Sequence, residues 1–340
     1  MKKRPGRGIE LAEIETPRIS SDQLLIRVKA CGICGSDVHV YEWVPSYRWL
    51  TELLPIVPGH EFAGEIVEKG QDCTEVNLGQ RITCVPFVPC GTCEFCQKGR
   101  PMICESIFGG DGIIGLHRDG ALAEFVAVPK ASAFPLPENV SFELGALTEP
   151  LAVAAHAVER SSLEIGSKAL VFGPGPIGLA ILLLVKTYGT AEIGAVGRGD
   201  DEFRLRLAER LGTDSVYSFE ELEHQETEYS GRYDVIFETS GDPRAISLGT
   251  RLCKSGGKIV AVGIHPEKAS VDVTDIVRNE KVIVGSYSFS PRTFARILDL
   301  MGSGLLDPST LITHRFGLED VVEAFETAAS RRCGKVTIKP

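Results

Sequence analysis

Four cysteines, Cys90, Cys93, Cys96 and Cys104, fall inside one short run, PCGTCEFCQKGRPMIC. Zinc takes four thiolates tetrahedrally at about 2.3 Å, so this spacing lets one loop close around a single ion and predicts a structural metal site. Upstream, ACGICGSDVHVYEW and PIVPGHEFAGEIVEKG supply a thiolate at Cys34, an imidazole at His60 and a carboxylate at Glu61. Three protein ligands with a fourth position left open form the pattern of a catalytic zinc site. Further on, KALVFGPGPIGLAILLLVKTYG sets Gly173, Gly175 and Gly178 at G-x-G-x-x-G spacing, with Pro176 and Ile177 between the last two. There the first glycine makes a tight turn, the second admits a pyrophosphate, and the third allows close helix–strand packing. The following helix then turns its N-terminus to the phosphate charge.

Each signal alone has a plainer reading. A single cysteine is more often a small buried hydrophobe, and a single glycine pattern an ordinary turn. Their joint occurrence is what points to an enzyme. Cys31, Cys73, Cys84, Cys253 and Cys333 lack such company and read as structural. An iron–sulfur cluster is the rival for the loop, but ferredoxin sites use C-x2-C-x2-C-x3-C-P. Here seven residues separate Cys96 from Cys104 and no proline follows.

The elements that must position these residues are legible as patterns. Alternating apolar runs at Leu24–Val28, Phe62–Val67 and Leu122–Val128, broken by glycine, proline and charged turns, predict a β-rich first half. FELGALTEPLAVAAHAVER predicts a helix over Glu143–Glu159 with Pro150 near its start. Apolar runs then recur at Lys168–Phe172, Ile193–Val196, Tyr233–Phe237, Lys258–Val262 and Lys281–Val284, with helical stretches such as Phe203–Leu211 between some of them. That alternation predicts parallel βαβ units and an α/β fold. A helix at Arg292–Met301, a loop DPSTLITHRF, a helix at Glu319–Ser330 and a closing strand KVTIK complete the chain.

A site for NAD wants a carboxylate about 20 residues beyond the glycines, for the ribose 2′-OH. The count lands on AEIGAVGRGDD, at Gly197 followed by Arg198. A small residue plus a guanidinium suits the 2′-phosphate of NADP. Asp200 and Asp201 offer an NAD-type contact if the loop shifts. The expected cofactor is NADP or NAD, with NADP favoured.

Composition narrows the class. A chain of 340 residues predicts about two domains. A net charge of −10 with dispersed acids argues against a nucleic-acid partner. The basic opening MKKRPGRGIELAEIETP has no apolar segment after it and makes a poor signal peptide. The longest apolar run, Gly178–Val185, is too short to cross a bilayer, so no membrane partner is expected. Cysteines in C-x-x-C spacing read as metal ligands in a reducing compartment, and a cytoplasmic location is expected.

GICGSDVH, GHEFAGEIVEKG, the four-cysteine loop, TEPLAVAAHAV, FGPGPIG and ITHRFGLEDVVEAFE together resemble the zinc-dependent medium-chain alcohol dehydrogenases. The resemblance runs over nearly the whole chain and is nearest the sorbitol (polyol) and L-threonine dehydrogenase branches. It implies a GroES-like β-rich catalytic domain over 1–151, with the structural zinc loop at 84–106. A Rossmann domain with a doubly wound parallel sheet follows over 152–287, and 288–340 returns to the catalytic domain. It makes Cys34 and His60 ligands of the catalytic zinc, with Glu61 or Glu149 as the third, and makes Cys90, Cys93, Cys96 and Cys104 ligands of the structural zinc. Ser36 and His39 match proton-relay positions, and the TSGDP turn is expected near the nicotinamide. Zinc in such a site acts as a Lewis acid on the substrate oxygen, and hydride passes to the nicotinamide.

The resemblance further implies a small alcohol or ketone as substrate. It also implies a homo-oligomer, dimer or tetramer, paired through an edge strand at Val282–Ser286. TEPLAVAAHAV is similar to polyol dehydrogenases, whereas DVHVYEW and ITHRFGLED are more similar to threonine dehydrogenases. Where sorbitol dehydrogenases carry a substrate-binding arginine this chain has Ser288, with Arg292 nearby. The expected reaction is reversible oxidation of a secondary alcohol of polyol or sugar type, with an L-threonine 3-dehydrogenase-like activity as alternative. A non-catalytic zinc- and nucleotide-binding regulator is the alternative of another class, because fold does not fix function. Tyr41, Trp43 and Trp49 are candidates either for a pocket wall or for core packing.

Overall fold

The candidate ligand Cys34 follows a strand whose sequence, QLLIRVKACG, is buried at most of its positions. A computed structural model gives the fold and describes residues 1–107 and 112–340. That strand is β1 (Gln23–Gly32), followed by β2 (Glu61–Lys69), β3 (Arg81–Cys84), β4 (Phe125–Pro129) and β5 (Ala133–Pro135). The chain then forms β6 (Lys168–Phe172), β7 (Glu192–Gly197), β8 (Ser215–Ser218), β9 (Tyr233–Glu238), β10 (Cys253–Ala261) and β11 (Val282–Gly285). It closes with β12 (Ile312–Gly317) and β13 (Lys335–Lys339).

The molecule divides into two units. One comprises Met1–Ala152, Phe289–Ser330 and Lys335–Pro340; the other comprises Val153–Ser288 and Arg331–Gly334. In the first, the strand order is β12-β13-β1-β2-β3-β5, with β4 also paired to β1. β1 therefore has antiparallel partners in β2, β4 and β13, and seven of its ten residues are buried. Its register with β2 sets Cys31 opposite Phe62 and Gly32 opposite Glu61.

In the second unit six parallel strands lie in the order β11-β10-β9-β6-β7-β8. The run KALVF in β6 is almost wholly buried, as a central parallel strand covered on both faces must be. Leu170, Phe172, Val196, Tyr233, Ile236 and Ile259 form its core together with Ala245, Leu248 and Leu252 of the helix Pro243–Leu252. The chain reverses direction across the sheet between β6 and β9, which is the switch point where open α/β sheets bind ligands. The α/β class, with a GroES-like part and a Rossmann-type sheet, holds.

The segment expected as the loop DPSTLITHRF is the exception. Its second half is β12, parallel to β13, with Ile312 opposite Lys335 and Phe316 opposite Ile338. Thr313, His314 and Arg315 make the segment look polar, but an edge strand with one neighbour needs only a few apolar positions. The helix expected over Glu143–Glu159 is split at Leu147 into Phe142–Ala146 and Thr148–Ser161. Among the described residues no helix is long and apolar enough to cross a membrane.

Candidate active site

Antiparallel pairing brings the end of β1 against the start of β2, and the chain leaves each at a candidate ligand. Cys34 lies just beyond β1 as N-cap of the helix Gly35–Glu42, and His60 immediately precedes β2, which Glu61 opens. One ligand atom from each of Cys34, His60 and Glu61 lies within 4.8 Å of the others. His60 and Glu61 are buried and Cys34 partly so. His60 Nδ1 and Glu61 Oε2 are shielded from solvent yet have no hydrogen-bond partner among the described residues. An orphaned carboxylate oxygen such as Glu61 Oε2 beside a thiol is costly without a cation, and a sulfur–nitrogen–oxygen set fits zinc.

Two residues that the sequence analysis did not single out hold this arrangement. Asp37 is fully buried; its carboxylate accepts from the Cys34 amide at 2.9 Å and the Gly59 amide at 3.2 Å. It thus ties together the segments carrying Cys34 and His60, and its Oδ1 lies 3.7 Å from His60 Nδ1. An acid three residues after an N-cap is a capping-box signal that could have flagged it. Lys335, also buried, donates to Glu61 Oε1 at 2.5 Å and to the Ile33 carbonyl at 3.1 Å. No local pattern announces that contact, because 274 positions separate Lys335 from Glu61.

The remaining expected residues lie around this cluster. Ser36 Oγ is 3.3 Å from His60 Nε2. His39, one helical turn on and exposed, sits edge-on to Tyr47 with ring centroids 5.5 Å apart. Glu149 is buried in the first turn of Thr148–Ser161 and is not one of the three clustered ligands. Burial pushes its carboxyl up to about 7, His60 opposing the rise and Glu61 adding to it. Burial by itself would lower His60, but the Asp37 and then the Cys34 anions raise it well above its ordinary range. Tyr41 packs into the core against Phe325, and Trp43 joins the cluster of Val40, Leu50 and Leu116. Trp49 is exposed and stacks on His117 at 4.7 Å.

The four-cysteine loop forms a second cluster. Its sulfurs lie at 3.5 Å (Cys93–Cys96 and Cys90–Cys104), 3.9 Å (Cys93–Cys104) and 4.0 Å (Cys90–Cys96). Four sulfurs about 2.3 Å from a common centre stand about 3.8 Å apart, so the cage has the size zinc requires. Amides of Cys93 and Ser106 donate to Cys90 and Cys104, as thiolates would need. The other five cysteines are buried thiols.

In the second unit Gly173 follows β6 with φ 91°, and Gly175 caps the helix Pro176–Thr187. Pro176 has no N–H to lose, and the amides of Ile177 and Gly178 belong to a first turn that leaves such groups without intrahelical acceptors. Thr239, opening the TSGDP turn, donates its amide to the Phe172 carbonyl and its hydroxyl to the Gly173 carbonyl and so fastens that turn to the glycine turn. At the end of β7, Asp201 accepts from the Arg198 amide at 3.0 Å, and the Arg198 guanidinium reaches Asp200 at 3.1 Å. A Cβ on Gly197 would stand 3.1 Å from Asp201 and Leu205, so a larger residue is crowded at the position where NAD sites carry their acid.

Comparison with known proteins agrees with this geometry. Residues 20–138 match the alcohol dehydrogenase GroES-like domain, and residues 176–303 match the zinc-binding dehydrogenase domain. The L-threonine 3-dehydrogenase of Vibrio parahaemolyticus is 32% identical over 99% of this chain and 97% of its own. The chain belongs to the zinc-dependent medium-chain alcohol dehydrogenases. Among solved structures, 2R,3R-butanediol dehydrogenase from Bacillus subtilis has 31% identity and a TM-score of 0.87, covering 99% of this chain and 98% of that one. A zinc-binding dehydrogenase of Sinorhizobium meliloti 1021, solved with NADP, has 31% identity and a TM-score of 0.85, covering 96% and 94%.

As a member of this family the dehydrogenase is an NAD(P)-linked, zinc-dependent oxidoreductase acting on alcohols. When bound, the zinc supplies Lewis acidity toward a substrate oxygen. What the dehydrogenase's own chain contributes is a set of buried ties around the candidate ligands: Asp37 accepts from the Cys34 and Gly59 amides, and Lys335 donates to Glu61. The nucleotide half can be tested separately. A Cβ on Gly178 would meet the Gly173 carbonyl at 2.0 Å, whereas one on Gly175 meets nothing within 4 Å. Gly178→Ala is therefore expected to destabilise the dehydrogenase by about 1–3 kcal/mol and to weaken dinucleotide binding. Gly175→Ala is expected to keep the wild-type melting temperature while losing about tenfold or more in NADPH affinity, because its Cβ fills only the ligand's space. Thermal melts and fluorescence titration with NADPH check both.

Proposed function

We propose that this dehydrogenase reversibly oxidises a secondary alcohol of polyol or sugar type, with NADP favoured over NAD. The observation that carries the reading is the convergence of Cys34, His60 and Glu61, with their ligand atoms within 4.8 Å. In this reading those residues hold the catalytic zinc, with Glu149 beside them, and Cys90, Cys93, Cys96 and Cys104 hold the structural one. Ser36, against His60, hands the released proton toward His39, whose exposure gives it an outlet to solvent. Gly173, Gly175, Pro176, Ile177 and Gly178 seat the pyrophosphate, while Gly197 and Arg198 receive the 2′-phosphate. The enzyme works in the cytoplasm as a homo-oligomer, dimer or tetramer. Support for the assembly comes from β11, an outer strand of its sheet that leaves Val282 and Ile283 exposed.

A second reading, an L-threonine 3-dehydrogenase-like activity, is favoured by the relative of that activity at 32% identity. Steady-state kinetics with polyols, aldoses, 2,3-butanediol and L-threonine, each with NAD and NADP, decide between them. The highest kcat/KM is expected with a polyol or diol and NADP. Turnover of L-threonine above all others selects the second reading, and turnover confined to primary alcohols overturns both. Arg198→Ala is expected to lower the NADP-to-NAD ratio of kcat/KM about tenfold or more, the guanidinium–phosphate contact being charge-assisted. An unchanged ratio removes Arg198 from the cofactor site.

A further inference from the structure

Lys335 is a buried cation in a place that its sequence context does not explain. It starts β13, two strands away from Glu61, and its side chain reaches over the intervening β1. The crossing point is Gly32. A Cβ there would stand 2.3 Å from Glu61 Oε2 and 3.2 Å from Lys335 Cε, so only glycine leaves room for the pair. The ammonium has two acceptors, Glu61 Oε1 and the carbonyl of Ile33, the residue before Cys34. One buried charge thus bridges the segment that delivers Cys34 and the strand that delivers Glu61.

The bond also breaks the symmetry of the carboxylate. Oε1 is taken by Lys335, while Oε2 is buried and has no hydrogen-bond partner among the described residues. We propose that Lys335 is the positioning residue for the catalytic metal: it holds Glu61 by Oε1, so that Oε2 is presented, already desolvated, as the third protein ligand beside Cys34 and His60. This rests on the reading of that cluster as the catalytic zinc site. The ammonium's second anchor, on Ile33, keeps it from following Glu61 should the carboxylate swing. Groups that orient a ligand from behind typically change metal affinity by about 10–100-fold when removed. Gly32 belongs to the same device, since it is the gap through which the lysine passes.

Zinc release tests this without reference to turnover. The holoenzyme is mixed with excess chelator and metal loss is followed with a chromogenic dye, the four-cysteine zinc serving as internal standard. Cys34→Ser is the control for the site itself: if it leaves metal content and release unchanged, the reading of the cluster fails, and the proposal with it. With that control behaving, Lys335→Met is expected to speed release of the Cys34-site zinc about 10–100-fold and leave the loop zinc unchanged. Release within about twofold of wild type overturns the role of Lys335 alone. A lysine acting through Glu61 also predicts that Lys335→Met adds nothing once Glu61→Gln is present. Release from the double variant that is several-fold faster than from Glu61→Gln places the lysine's effect elsewhere and overturns the proposal. Should either single variant fail to fold, the double variant, which leaves no unpaired buried charge, is compared with wild type directly, and zinc release within about twofold of wild type overturns the proposal. Cobalt substitution gives an independent signature: altered ligand-field bands of the Cys34-site ion in Lys335→Met are expected, and unchanged bands overturn the proposal.

Discussion

Cys34→Ser is expected to lower kcat/KM by about a thousandfold or more and to take the zinc content from two ions per chain toward one. The loss corresponds to about 4 kcal/mol of transition-state stabilisation, the scale on which a Lewis-acidic ion acts. A serine hydroxyl remains protonated at neutral pH and is a poor zinc ligand. The two groups left behind, His60 and Glu61, lack the third point that fixes an ion. NADPH affinity is expected to hold within about twofold, because the glycine turn belongs to the other unit. Metal analysis, alcohol oxidation assays and NADPH titration on one preparation check all three. Full turnover with one zinc per chain would remove Cys34 from the chemistry.

The cluster of candidate ligands is readable from sequence because its members lie beside strand ends. Cys34 follows β1 and His60 precedes β2, so a single antiparallel pairing, with Gly32 opposite Glu61, brings them together. The glycine turn was readable for the same reason, since strand, turn and helix are contiguous in the chain. What escaped were residues whose role depends on distant strand order. Lys335 meets Glu61 only because β13 adds to the free edge of β1, and no window of sequence contains that fact. Asp37 escaped for a different reason: its local cap geometry was legible, but its bond to the Gly59 amide, which makes it a tie between two segments, was not. β12 reads as a loop in sequence because an edge strand with polar alternation carries too little apolar signal to be told from one.

The four-cysteine loop yields the other large effect, on stability. Its helix Glu94–Gln97 is a single turn that buries nothing, and the turn Pro101–Ile103 buries only Met102. A four-residue helix is far below the length at which a helix persists in water, so apolar packing does not account for the loop's shape. The thiols themselves do not hold it either. Hydrogen bonds from Thr92 and then the Cys93 amide pull Cys90 down to about 5, whereas burial and neighbouring sulfurs push Cys96 up to about 12. Four sulfurs this close do not all ionise without a cation among them, so the ion is what closes the cage. Cys96→Ser is therefore expected to lose the loop zinc and open the cage while the Cys34 site keeps its ion. A loss of about 3 kcal/mol corresponds to a fall in Tm of roughly 4 °C for a chain of this length. Lys98 and Arg100 are exposed already, and opening the loop frees the backbone that carries them, so limited trypsin digestion is expected to cut there in the variant and to spare the wild type. A variant that loses one zinc ion per chain yet resists trypsin would show that the protein part holds this loop unaided, contrary to what its four-residue helix implies.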